Sequence, residues 1–344
     1  MMEIKLNKRL QRRPRWLIIL VIIIVLGGFI GIKTLNQQYL PVDSNNKEPV
    51  EIYIPAESSA RQIAAILYEN KLIRSQNAFL SYCSKQGLDT QLKPGHYNFS
   101  QSLSLPQIAR SIAQGDVIKI KITIPEGYTV KEIGALLVEK KICSAESWQE
   151  AVQADYPYDF LADVPAGVKE PLEGFLFPDT YYIEKETTSR EIVDMMLKNF
   201  AAMWDKEFAG QPNAEKMGVY NTIIRASLIE EEAMHDEERR TISGVIENRL
   251  RDGMLLQLCP TVLYCLDEKK TELSNADLEI DSPYNTYRNP GLPPGPISNP
   301  GKESIAAALN PEKNNYYFYV SKGDGTHYFS RTYSEHLQAM ARYL

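Results

Sequence analysis

The chain has 344 residues, 44% apolar and 24% charged, which is ordinary for globular protein and long enough for two domains or more. Its net charge of −6 excludes the basic footprint of a nucleic-acid-binding protein. Four cysteines (Cys83, Cys143, Cys259, Cys265) form no Cys-x-x-Cys pair, and the four histidines have no ligand spacing. No metal or cofactor is therefore expected, and disulfide pairing stays open.

At the amino terminus, Leu17 to Ile32 is uninterrupted apolar residue or glycine. With its flanks it approaches the roughly 17–25 residues of a membrane span. Lys5, Lys8, Arg9, Arg12, Arg13 and Arg15 precede it, and only Lys33 follows before Lys47. That asymmetry predicts a cytoplasmic tail over residues 1–15, a transmembrane helix over 16–35 and everything beyond outside the cytoplasm. No Ala-x-Ala-like site follows the apolar core, which favours an uncleaved single-pass anchor in the cytoplasmic membrane over a signal peptide. Residues 36–49 are polar and proline-punctuated, as in a linker.

An internal repeat follows. Ile52-Tyr53-Ile54-Pro55 with Ile63, Leu67 and Leu72 recurs 70 residues later as Ile122-Thr123-Ile124-Pro125 with Ile133, Leu137 and Ile142. Each copy predicts a strand, a proline turn and an amphipathic helix. Ser58 or Ser59 caps the first helix; Thr129 and Glu132 form a capping box for the second. Residues 50–120 thus predict a compact βααβα-like module, either a glycan- or partner-binding unit or a spacer. The aromatic stretch Leu172 to Tyr181 suits the apolar faces of sugars, or simply a packed core.

Val219, Ile223, Ala226 and Ile229 then recur at helical spacing and lead into Glu230-Glu231-Glu232. His235-Asp236 offers the start of the next helix and Gly253 its stop. The triplet falls at the negative pole of a helix, and neighbouring like charges add to that field. Both terms favour a protonated carboxyl, which a general acid needs, so Glu230 is the expected catalytic acid/base. A solvated acidic helix end has the same sequence signature. From Ser282 to Pro300, proline and glycine are too dense for regular structure. A loop that stiff can hold Asn285 and Tyr287 ready to bind hydroxyl and acetamido groups, or serve structure alone. A helix over 301–309, a hairpin turning at Gly323-Asp324-Gly325 and a last helix complete the chain.

Several ordered blocks carry a resemblance. They are Ala226-Ser227-Leu228-Ile229-Glu230-x-Glu232, the run Val245-x-x-Asn248-Arg249-Leu250 to Gly253, Leu256-Gln257-x-x-Pro260-Thr261-Val262-x-Tyr264, Tyr284-Asn285-Thr286-Tyr287 and Gly291-Leu292-Pro293-Pro294-Gly295-Pro296-Ile297. Together with Pro125-Glu126-Gly127 and Leu172 to Phe175, the chain closely resembles the endolytic murein transglycosylase family (MltG or YceG-like) along nearly its whole length. The resemblance implies an α+β fold with an N-terminal transmembrane helix, a LysM-like domain over 50–120 and a mixed α+β catalytic domain over 121–344. It implies a bacterial enzyme that cuts nascent peptidoglycan strands internally, leaves a 1,6-anhydro-N-acetylmuramic acid end, and works beside penicillin-binding proteins and other wall-synthesis proteins. It puts the catalytic residue at Glu230 and the second motif carboxylate at Glu232. Glu232, Asn248, Arg249, Gln257, Tyr264, Asn285 and Tyr287 are the expected substrate-binding residues, with Arg249 open to a structural role. Two departures from the family pattern stand out: Glu231, where a basic residue is frequent, and Leu258-Cys259, in place of a polar pair. A hydrolytic muramidase, with Glu232, Glu173 or Asp179 as second carboxylate, and a non-enzymatic peptidoglycan-binding scaffold are the rival readings.

Overall fold

The computed structural model describes Leu20, Ile22 and residues 36–266, 270 and 273–343. The expected membrane span over 16–35 lies outside the described residues except for Leu20 and Ile22. Among the described residues no helix is long and apolar enough to cross a membrane. The chain divides into two units: the described residues up to Ile120 with Glu184–Glu186, and Lys121–Ile183 with Thr187 onward.

The first unit pairs β1 (Val50–Ile54) antiparallel with β2 (Gly95–Phe99), placing Ile52 opposite Tyr97. Alternation puts Ile52, Ile54, Tyr97 and Phe99 on one buried face. Helices α1 (Ala60–Glu69), α2 (Gln76–Gln86) and α3 (Leu105–Gln114) supply Ile63, Leu67, Phe79, Ile108 and Ile112 to the same core. The buried Tyr97 hydroxyl donates to the Lys93 carbonyl at 2.9 Å, so the core carries no cost from an unpaired phenol there.

The repeat extends further than its sequence signature. The second copy begins with β3 (Lys119–Thr123), α4 (Val130–Glu139) and α5 (Ala145–Val152). Ser59 and Thr129 both close capping boxes on their helices, and Lys71 and Lys141 both take left-handed backbone (φ 55° and 57°) just beyond the helix ends. A 27-residue stretch (153–179) then precedes β4 (Thr180–Glu184) and the long α6 (Ser189–Glu207). The order strand–helix–helix–strand–helix is therefore used twice. That stretch hides the second half of the copy from a fixed 70-residue offset.

Helix α7 (Pro212–Met217) leads into α8 (Val219–Glu232), buried on most of its circumference by Tyr220, Ile223, Ile224, Ala226, Leu228 and Ile229. Helices α9 (Asp236–Arg251), α10 (Cys259–Leu263) and α11 (Lys302–Leu309) pack against α8. The hairpin of β5 (Phe318–Ser321) and β6 (His327–Ser330) is antiparallel, with α12 (Tyr333–Tyr343) laid on it. Between α10 and α11 the proline loop is pinned to α8. The Tyr220 hydroxyl donates to the Pro294 carbonyl at 2.8 Å, and the Ile297 N–H donates to Ser227 Oγ at 3.1 Å.

Candidate active site

The three carboxylates that end α8 enter three different environments, because successive helical residues point about 100° apart. Glu230 is inward, its side chain only 7% exposed. Its Oε1 lies 3.2 Å from Arg239 Nη1 on α9, and its Oε2 accepts the Gly301 N–H at 2.9 Å. Arg239 is itself buried and also donates to Ser304 Oγ and to Asp236 Oδ1. The expectation for Glu230 considered the helix pole and neighbouring like charges; the fold adds a cation and a backbone donor. Glu126 completes this group. Burial raises its pKa, with the nearby Glu230 charge adding to the effect. A Cβ on Gly301 would run into the Glu126 carboxylate, so a larger residue there requires that side chain to shift.

Glu231 opens to a cleft of about 940 Å³ lined also by Tyr128, Leu136, Glu173 and Tyr264. Packing around the carboxyl pushes its pKa up to about 7, with Glu230 adding to the rise, although the residue as a whole is exposed. The buried Ser298 hydroxyl beside it makes no hydrogen bond of ordinary geometry and only partly offsets that rise. Glu173 is fully buried in the cleft floor. Its Oε1 accepts from the Val130 N–H (3.0 Å) and Asn299 Nδ2 (3.1 Å), and its Oε2 accepts from the Tyr264 hydroxyl (3.1 Å). Burial outweighs these donors and lifts Glu173 to about 8, so it is largely neutral at pH 7.

Glu232 faces a third group. Burial raises its pKa, opposed by the Tyr319 hydroxyl, His327 and Arg249. The Tyr319 hydroxyl is buried beside Glu232 without a hydrogen bond of ordinary geometry, and the carboxylate's charge drives that phenol's pKa up after burial itself. His327 is fixed from α9, its Nδ1 2.8 Å from Glu238 Oε2 and its N–H donating to Glu238 Oε1 at 3.0 Å. Tyr287 feels the charges of Glu232 and Arg249, and its hydroxyl is 3.1 Å from Cys259 Sγ.

The other expected binding residues separate into two kinds. Asn248 is buried, and its amide donates to Asn314 Oδ1 and to the Asn314 and Tyr316 carbonyls. Asn285 is fully buried, donating to the Leu278 and Ile280 carbonyls and accepting from the Tyr287 N–H. Both amides are used up inside the fold, so each positions a loop instead of reaching a ligand. Arg249 likewise ties the Tyr317, Leu255 and Leu256 carbonyls together and lies over the Phe318 ring. Its guanidinium is a brace whose charge still reaches Glu232. Gln257, Tyr264 and Tyr287 remain accessible in part, Gln257 on strained backbone at φ 52°. Asp179 is occupied by Asn199 and the Thr180 N–H. The sequence reading missed Arg239, Tyr319 and His327. Arg239 sits in a charged stretch that looks like an ordinary helix start, and the other two come from a hairpin more than 80 residues away.

All four cysteines are free thiols, and no group of three potential ligands for a metal gathers among the described residues. The family model described as YceG-like matches residues 52–342. This chain belongs to the YceG-like family. The endolytic murein transglycosylase of Bacillus subtilis is 34% identical over 334 residues, covering 94% of this chain and 91% of that protein. That of Streptococcus pneumoniae strain D39 is 32% identical, with the alignment covering 92% of this chain and 62% of the longer streptococcal protein. The crystal structure of a YceG-like protein from Listeria monocytogenes is 35% identical and superposes with a TM-score of 0.58, over 85% of this chain and 99% of that one. The YceG-like neighbour has the same mixed α+β architecture.

Proposed function

We propose that the chain is an endolytic murein transglycosylase, cutting the N-acetylmuramic acid–N-acetylglucosamine bond within peptidoglycan strands without consuming water. Relatives carrying that activity in their names align along nearly the whole chain. The observation that carries the site is the placing of Glu232. It is a half-buried residue whose carboxyl, raised in pKa by desolvation, stands against the Tyr319 phenol, with Arg249, His327 and Tyr287 around it. Those partners include two of the residues expected to bind substrate, and they gather at Glu232 and not at Glu230. Glu230, held by Arg239 and the Gly301 N–H, has the geometry of a structural ion pair. We therefore place the travelling proton on Glu232 and give Glu230 the task of fixing the end of α8.

In this reading the Glu232 carboxyl protonates the glycosidic oxygen as the bond to muramic acid C1 breaks. The resulting oxocarbenium-like centre is closed by the same sugar's 6-hydroxyl, which returns its proton to Glu232. The products are a free N-acetylglucosamine 4-hydroxyl and a 1,6-anhydro end, so the carboxyl is regenerated and one suffices. The Arg249 charge stabilises the carboxylate between the two transfers. Residues 16–35 serve as a single-pass anchor with the N-terminus in the cytoplasm, and residues 50–120 as a LysM-like module. Outside the membrane the enzyme would meet strands as penicillin-binding proteins make them.

Mass analysis of products from purified strands tests the reading. Wild type is expected to give anhydro-ended fragments, lighter than hydrolysis products by one water because none is added. Glu232→Gln should lose about 10²–10⁴-fold in rate, as removal of a general acid does. Glu230→Gln should unfold more readily while keeping measurable cleavage. Full activity in Glu232→Gln with loss in a folded Glu230→Gln would return the proton to Glu230. Products carrying an added water would replace lysis by hydrolysis.

A further inference from the structure

The cleft beside Glu231 is not lined by Glu232 and takes no part in the reaction placed there. Its outer wall carries charges of both signs, with Lys131 and Glu139 on α4 and Lys169 and Glu170 on the loop before Leu172. Between them lie the methyl groups of Ala135 and Leu136. Its aromatic groups are largely turned on one another, the Tyr264 and Tyr284 ring centroids being 5.1 Å apart. At the floor, Glu173 is engaged by Val130, Asn299 and Tyr264. An uncharged N-acetyl sugar gains little from such a wall. The lining also holds Lys270 and Asp281, so a short peptide carrying carboxylates, an amine and alanine methyls finds partners for both signs of charge, and a volume of about 940 Å³ falls within the ordinary range for a ligand pocket.

The position fits the chemistry of the polymer. Glu231 lines the cleft and is the neighbour of Glu232, so the cleft opens about 100° around the same helix end from the reacting bond. In peptidoglycan the stem peptide leaves the muramic acid ring through its lactyl ether, on the sugar whose C1 reacts. We propose that this cleft is a subsite for the stem peptide of the muramic acid being cleaved. The inference rests on the transglycosylase reading above and adds to it a requirement for peptide-bearing strands.

The test compares strands carrying stem peptides with strands stripped of them by an amidase, using the full-length chain in detergent. Wild type should cleave peptide-bearing strands with kcat/KM about tenfold higher, the equivalent of about 1.4 kcal/mol. Ala135→Trp, which fills the cleft from an exposed helix position, and Lys131→Glu, which reverses a wall charge, should remove that preference through KM and leave stripped strands unaffected. Free stem peptide should bind wild type and not Ala135→Trp in NMR titration. Equal cleavage of both substrates by wild type, an equal loss on both in the variants, or absence of peptide binding would overturn the subsite. If neither substrate yields anhydro ends but the peptide still binds in a cleft-dependent way, the activity assignment fails and the subsite stands.

Discussion

Glu173 shows how much a single residue's chemistry depends on what surrounds it. In the sequence it is one candidate among several for a second carboxylate. In the fold it is the polar hub under the cleft, meeting the first N–H of α4, the proline loop through Asn299, and α10's flank through Tyr264. Its pKa of about 8 stands against an ordinary 4.5, so between those values the folded protein holds a proton that the unfolded chain has released. The stabilising contribution is therefore complete below pH 4.5 and is lost as pH rises through 8. Urea midpoints at pH 5 and pH 8 should fall more steeply for wild type than for Glu173→Gln, which keeps the shape and cannot ionise. Parallel slopes would show that the carboxyl is already charged in the fold. Arg239, Tyr319 and His327 teach the same lesson for the acid triplet: which of three adjacent carboxylates meets a cation and which meets a phenol is a matter of helical phase and distant chain.

At the scale of elements, α8 is held along its length from its first turn to its last. The Ile297 N–H donates to Ser227, Tyr220 donates to Pro294, and the Gly301 N–H at the start of α11 donates to Glu230. The stiffness expected of the proline loop is thus used to dock it on α8, and Asn285 contributes by bracing that loop from inside. Gly301→Ala should cost about 1–3 kcal/mol, the range for overpacking, because the added methyl meets the Glu126 carboxylate. The backbone there, at φ −73°, is otherwise suited to any residue. Denaturant midpoints measure this, and an unchanged midpoint would mean that Glu126 has room to swing away. The repeat is the other lesson at this scale. Capping residues and apolar spacing mark its first half in sequence, but β4 and α6 are displaced by the stretch over 153–179, and only their common order in space reveals them.

For the molecule as a whole, the amino-terminal pattern carries the argument for location, since the residues that would form the anchor lie almost wholly outside the described structure. Its physics is simple: a continuous apolar stretch with six cations on one side and one on the other is least costly across a bilayer with the cations in the cytoplasm. The intact chain is expected to sediment with membranes. A chain beginning after residue 35 should stay in the supernatant and still cut purified strands. Sedimentation of that shortened protein with membranes would move the anchor elsewhere. Activity lost together with the anchor would make the membrane part of the catalytic arrangement.

What the sequence determined alone was periodic or local: the apolar span and its charge asymmetry, the two capped helices 70 residues apart, the helix that ends in Glu230-Glu231-Glu232, the hairpin near the carboxyl terminus. Hydrophobic spacing and capping act over a few residues, so they can be read without a fold. The tertiary structure decided which carboxylate is paired with a cation and which stands beside the Tyr319 phenol. It turned Asn248, Arg249 and Asn285 inward to brace loops, and it assembled a cleft from segments more than 100 residues apart. Burial and charge pairing act through space, and separations of that length leave no local pattern in the chain.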